Sequence, residues 1–345
     1  MRGLKRWKNT LPYAAIAGLA VLVAFLFITL SGSEAGKAFA GFSRGLFGSS
    51  YSAAEIFVKA TPLTLVGLGV AVAFRSGFTN IGAEGQLYMG AIATTFIATR
   101  FPGLPAFLML PACMLFGGLL GGLWALIPGF LKARYGISEV INTIMFNYIG
   151  LGITGVLVQT VLKDPESYFP VSPTIPDAAF LPVILPKTRL HAGLFVALSC
   201  VVLVYILMFK TPQGFRMRAV GLNPRACQCM GISVNRNIVL SSLISGGLAG
   251  LAGMCEVSGL QHRLLEGISP GYGYLAIIVA LLGGNSPLGV LIAAVGVAAL
   301  QVGSLSMQRA ASVPASIASI IMGTVVLLIL ARKTVFSGLL KGKGE

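Results

Sequence analysis

Charge is scarce. Only 10% of the 345 residues are Asp, Glu, Lys or Arg, against about 25% in a soluble globular protein. A water-facing surface cannot be built from so little, which excludes soluble enzymes, nucleic-acid binders and disordered chains. Cysteine is sparse as well, and five residues at no regular spacing form no disulfide framework. Motifs that convert energy or bind cofactors are missing. The stretch Gly32–Lys37 comes near a phosphate loop but has the wrong spacing, and Gly271-Tyr-Gly273-Tyr-Leu-Ala276 matches a dinucleotide fingerprint by letters with no strand before it. Cys227 and Cys229 make a C-x-C without the further Cys or His that four zinc ligands require. They read as small loop residues. His191 and His262 pair with nothing obvious. No catalytic constellation and no metal site is visible, so the chain reads as a non-enzyme that binds no cofactor of its own.

What is present is apolar: 56% of residues are hydrophobic and the mean hydropathy is +0.87. A helical span takes about 20 such residues. Ten segments qualify in outline: 13–30, 56–74, 79–99, 105–130, 138–161, 192–209, 238–258, 272–284, 288–307 and 314–331. The eighth is too short to cross alone and must be tilted or broken. The first follows Arg2, Lys5, Arg6 and Lys8 but exceeds a signal peptide's apolar core of about 7–15 residues, so it reads as an uncleaved anchor. The fold class is therefore an all-α, polytopic transmembrane bundle of about ten spans with broken or short helices, in the cell (cytoplasmic) membrane. The excess of 25 Lys+Arg over 10 Asp+Glu gathers at both ends and in 210–236, among them Lys210, Arg216, Arg218, Arg225, Arg236, Arg332 and Lys333. Positive-inside bias then places both termini and 210–236 in the cytoplasm, with 31–55 and the proline-rich 162–191 outside. No linker separates domains, so residues 1–345 read as one membrane domain.

Glycine, at 44 residues, is the second compositional oddity. Gly117-Gly118-x-x-Gly121-Gly122 and Gly246-Gly247-x-x-Gly250-x-x-Gly253 put small residues on helix faces, which in lipid allows close backbone packing. Polar residues stand out against this background, because an ionisable group at bilayer depth costs about 2.5–3.5 kcal/mol on insertion scales. One cluster is Thr79-Asn80-Ile81-Gly82-Ala83-Glu84-Gly85-Gln86, where glycines loosen the helix around Glu84. The other runs Glu139-Val140-Ile141-Asn142-Thr143-Ile144-Met145-Phe146-Asn147-Tyr148, with polar residues three and four apart on neighbouring faces. Two readings stay open for each residue: interhelical hydrogen bonding, or the wall of a pathway. The pathway candidates are Asn80, Glu84, Gln86, Asn142 and Asn147. Glu256 reads as a pathway or an interfacial carboxylate. The glycine-interrupted segments 77–86 and 267–286 fall in the two halves of the chain, as transport sites between repeats do.

The stretch 211–226 carries the most specific pattern. Pro212 suits a first helical turn, and Gly221 with Pro224 stops the helix. A short helix between two turns, exposing Phe215 and basic residues, suits docking into a groove on another protein. Gly214 would allow close approach to that groove, Gly221 would end the helix at positive φ, and Arg218 would meet an acidic rim.

The run from Thr211 to Ile232 resembles the coupling helix of membrane subunits in ATP-binding-cassette (ABC) importers for ribose-like sugars, branched-chain amino acids and nucleosides. The blocks Phe74–Gln86 and Glu139–Tyr148 look closest to the nucleoside branch, which pairs with a basic-membrane-protein-type lipoprotein receptor. The resemblance covers about residues 55–331. It implies a permease subunit that forms half of a translocation pathway beside a second, different permease subunit. It also implies a cytoplasmic ATPase that binds ATP and Mg and docks at Gly214, Arg218, Ala219, Gly221, Asn223 and Pro224, and an external receptor that delivers substrate. The alternatives are a simple-sugar or branched-chain amino acid importer, and an ion-coupled secondary transporter using Glu84, Glu139 or Glu256.

Overall fold

The computed structural model describes residues 18–19, 21–29 and 32–341. The basic N-terminus and the start of the first hydrophobic segment lie outside them. Residues 21–29 are helical and are followed by α1 (Ala35–Phe47), α2 (Ser50–Arg75), α3 (Ala83–Arg100), α4 (Ala106–Tyr135), α5 (Glu139–Gln159), α6 (Gly193–Lys210), α7 (Pro212–Leu222), α8 (Pro224–Cys229), α9 (Val234–Glu256), α10 (Tyr272–Leu282), α11 (Pro287–Ala311) and α12 (Ala315–Lys341). Among the described residues the only β pairing is two isolated bridges, Val171 with Leu265 and Val183 with His191. Among the described residues six helices are long and apolar enough to cross a membrane: α2, α4, α5, α6, Val234–Gln261 and α11. The protein is thus an all-helical, multi-pass membrane protein. Two apolar helices, Tyr272–Leu282 and Ala315–Leu328, are shorter, as the brevity of 272–284 implied for the first of them.

Two compact units are distinguishable, 57–295 and 1–56 with 296–345. The core of the first is α3, in which every residue from Ala83 to Thr95 is buried between α4 and α9. Glycine makes this possible. A Cβ on Gly121 would stand 2.6 Å from the Gly246 carbonyl oxygen and 2.7 Å from the Gly250 Cα, and one on Gly90 would overlap the Gly250 backbone. Main chains in van der Waals contact replace the side-chain interlocking of a water-soluble core. Four helices, α4, α5, α6 and α11, bury only 28%, 28%, 33% and 33% of their most apolar stretch.

Helix ends in this unit follow local chemistry. The Thr211 and Asn223 side chains accept from Gly214 N and Ala226 N at 3.1 Å each, with Pro212 and Pro224 in the first turns of α7 and α8; Ser233 does the same for α9. At the end where α6 begins, the proline-rich loop lies on the chain that follows α9. Ser172 N donates to Leu264 O, Ile175 N to His262 O and Leu181 N to Ser258 O at 2.8–2.9 Å, and Phe180 stacks on His262 with ring centres 3.9 Å apart. In the second unit α1 meets the later part of α11, where a Cβ on Gly303 would stand 2.5 Å from the Phe42 ring. Ala24, Ile28, Ala38, Met307, Val313, Ala318 and Ile321 form its core.

Candidate functional site

The polar segment after α2 is not helical. Gly77, at φ +77°, turns the chain, and residues 78–82 run irregularly before α3 starts at Ala83. Backbone polar groups at membrane depth must find partners inside the protein, and side chains supply them. Thr143 Oγ1 accepts from Ile81 N at 3.2 Å, Asn147 Oδ1 from Gly85 N at 2.8 Å, and Asn147 Nδ2 donates to Ile81 O at 2.9 Å. Asn80 and Gln86 pair amide to amide: Asn80 Nδ2 donates to Gln86 Oε1 at 2.9 Å and Gln86 Nε2 to Asn80 Oδ1 at 3.1 Å. Asn80 reaches Ser245 of α9 at 2.8 Å and accepts from Gly82 N at 2.9 Å. An amide is the side chain for this task, since it donates and accepts at once.

The second irregular element is α10, whose 11 residues span about 16 Å at 1.5 Å per residue, roughly half a hydrocarbon core. Glu84 Oε2 accepts from Gly273 N, in its first turn, at 2.6 Å, and the Ser269 hydroxyl and Gly271 backbone face the same carboxylate. At the other end Arg75 Nε donates to Asn285 O at 2.5 Å and Nη2 to Gly284 O at 3.4 Å. An anion at the N-terminus and a cation at the C-terminus both complement the helix dipole. Tyr274 is 42% exposed and its hydroxyl accepts from Asn147 Nδ2 at 3.4 Å.

Asn80, Glu84, Gln86 and Asn147 therefore belong to one buried network, each at most 3% exposed. Asn142 lies apart on α5, half-buried, and its Nδ2 has no partner among the described residues. Glu139 is paired with Lys132 at 2.8 Å. Glu256 is 2% exposed and packs inside the protein.

The helix expected at 211–224 is present as α7 with α8 behind it. Its outer face carries Phe215, 60% exposed, Arg216 and Leu222, while Gly214, Met217 and Val220 are buried. Two expectations change. Gly214 points inward: a Cβ there would stand 2.6 Å from the Met208 Cα of α6, so its close approach is to this chain's own backbone. Gly221 stays in the helix, which runs on to Leu222, and is small because a Cβ would overlap the Arg75 carbonyl and stand 3.1 Å from Gly77 N. The stop comes from Asn223, and Pro224 opens α8. Arg218 stacks over Phe209 at 5.0 Å, and Ala219 packs beside the cluster of Ala73, Phe78, Val220, Cys227, Val234 and Ile238. Cys227 is thus a core residue, and only Cys229 is exposed.

Residues 52–330 match the family described as "Branched-chain amino acid transport system / permease component". The chain belongs to that permease family. The guanosine ABC transporter permease protein NupP of Bacillus subtilis (strain 168) is 39% identical to this permease over 96% of both chains. The glucose ABC transporter permease protein TsgB13 of Haloferax volcanii is 36% identical over 82% of this chain and 77% of its own. The guanosine ABC transporter permease protein NupQ of Bacillus subtilis is 29% identical over 69% of this chain and 76% of its own. Family membership displaces the ion-coupled reading. Three residues of the permease's site escaped the sequence reading: Arg75, Phe209 and Tyr274. Their partners lie 210, 9 and 127 positions away, and no local pattern marks such pairs.

Proposed function

We propose that the chain is one permease subunit of an ABC importer for nucleosides. The observation that carries this is the 39% identity over 96% of both chains to a guanosine transporter permease. The whole chain, 1–345, serves as one membrane domain of about ten crossings, with both termini and α7–α8 on the cytoplasmic side. Groups of α5 and α10 form the pathway wall: the exposed Tyr148 and Tyr274 and the half-buried Asn142 amide. Asn80, Glu84, Gln86 and Asn147 hold that wall in shape. An amide bonds ribose hydroxyls or a base edge, and tyrosines offer rings with a polar tip.

A cytoplasmic ATPase carrying ATP and Mg docks on α7 through Phe215, Arg216 and Leu222, with Gly214, Arg218, Ala219, Gly221, Asn223 and Pro224 building that surface. A second, different permease subunit completes the pathway; the similarity to both NupP and NupQ of one organism supports this. An external receptor lipoprotein delivers substrate. A second reading, a simple sugar, draws on the 36% identity to a glucose permease. Vesicles holding the full complex, supplied with ATP and no ion gradient, are expected to accumulate labelled guanosine or adenosine and neither glucose nor leucine. Glucose uptake without nucleoside uptake refutes the nucleoside assignment.

A further inference from the structure

Contacts from three elements meet at Arg75, the last residue of α2. One side of its guanidinium donates to the Gly284 and Asn285 carbonyls beyond the C-terminus of α10. Its carbon lies 5.2 Å from the centre of the Phe209 ring, and that of Arg218, on α7, lies 5.0 Å from the same ring. Main chain adds to this: Gly221 of α7 is packed on the Arg75 carbonyl, and a Cβ on Gly77 would stand 3.2 Å from the Gly221 Cα. Glu84, nine residues on from Arg75, holds the opposite end of α10 through Gly273 N. The segment 75–84 therefore grips α10 at both ends, and α7 rests on its first turn.

We propose that Arg75 is the positioning residue that carries displacement of α7 into displacement of α10, and with it of Tyr274. This rests on the reading of α7 as the ATPase-docking element and adds the route by which docking reaches the pathway. Backbone in contact with backbone leaves no slack at the α7–Arg75 step, and close-packed elements shift as bodies. At the next step the planar guanidinium fork fixes direction as well as distance, which a single ammonium does not. Around Arg75 and Arg218 the only partners are carbonyls and a ring: among the described residues neither guanidinium forms an ion pair.

The test is hydrogen exchange on the intact complex, resting against trapped with ATP and vanadate, read at 212–222 and 272–284. In the wild type both segments change. In Arg75→Met the change at 212–222 persists, the change at 272–284 falls at least about threefold, and nucleoside moved per ATP falls about tenfold while basal ATP hydrolysis is kept. A merely structural role would instead lower assembly and basal hydrolysis together. A full change at 272–284 in Arg75→Met overturns the proposal. If that variant does not assemble, Arg75→Lys decides: a reduced change at 272–284 supports the relay, and an unaltered one overturns it. If 212–222 does not respond to ATP in the wild type, the docking reading fails and the relay with it, an outcome distinct from losing the relay alone.

Discussion

Removing the Glu84 carboxylate tests whether this acid holds a helix or meets a solute. Its Oε2 accepts from Gly273 N at 2.6 Å, and the group is 3% exposed. A hydrogen bond to a charged group contributes about 1.5–3 kcal/mol, and a buried donor left without a partner costs about 1–3 kcal/mol. These overlap, so Glu84→Ala is worth roughly 2–4 kcal/mol. Glu84→Gln keeps an acceptor and loses the charge at the helix end, about 1 kcal/mol. At about 2–4 °C per kcal/mol for a unit of this size, the apparent Tm of the detergent-solubilised complex falls by roughly 4–16 °C for Ala and 2–4 °C for Gln. Gly273→Ala should resemble Glu84→Ala, since its Cβ would stand 2.6 Å from the Glu84 Cα. Differential scanning fluorimetry of the four proteins measures this. An Ala variant within about 1 °C of wild type, with nucleoside transport lost, refutes the holding role and makes Glu84 a solute contact.

Gly214→Trp is expected to prevent stable assembly rather than uncouple a folded complex, because the side chain would be driven into the Met208 backbone; Phe215→Asp, on the exposed face, should keep the melting temperature and weaken ATPase capture by more than about tenfold, as read by pull-down. Maleimide labelling of the folded protein should show one fast thiol, Cys229, since the other four cysteines are buried, and it should be reached only from the cytoplasmic side. Burial lowers His191 from 6.5 to about 4, so its neutral form is favoured in the folded state. Stability from this group is whole above pH 6.5 and is lost as pH falls toward about 4, to a total of roughly 3 kcal/mol. His191→Asn should flatten the melting temperature over that interval, and an unchanged slope refutes the assignment.

The sequence makes the membrane class, the hydrophobic segments and the α7 helix legible because each is written in neighbouring residues: apolar runs, Pro212 in the first turn and Thr211 before it. It shows that 77–86 is special, since glycine and polar groups cluster there. It does not show what they do. Asn80 and Gln86 look like solute contacts until the fold turns them on each other. The glycines misled for a related reason: Gly214 and Gly221 signal close approach, and the sequence cannot say whether to a partner or to Met208 and Arg75. Cys227 reads as a small loop residue and is core packing, because α8 turns it inward.

The burial of α3 has a consequence for how the chain is made. Its sequence holds Glu84, Gln86, Thr94 and Thr95, and it is absent from the helices apolar enough to cross unaided. The glycine face that encloses it, on α9, leaves the ribosome about 130 residues later, on the order of ten seconds at ordinary synthesis rates. For that interval α3 has α4 and α5 beside it but lacks the α9 face. An insertase must shelter it, or it waits half-inserted until α9 arrives. Ribosome-bound chains ending near residue 200 should therefore hold α3 accessible to aqueous reagents, while chains ending beyond α10 should not.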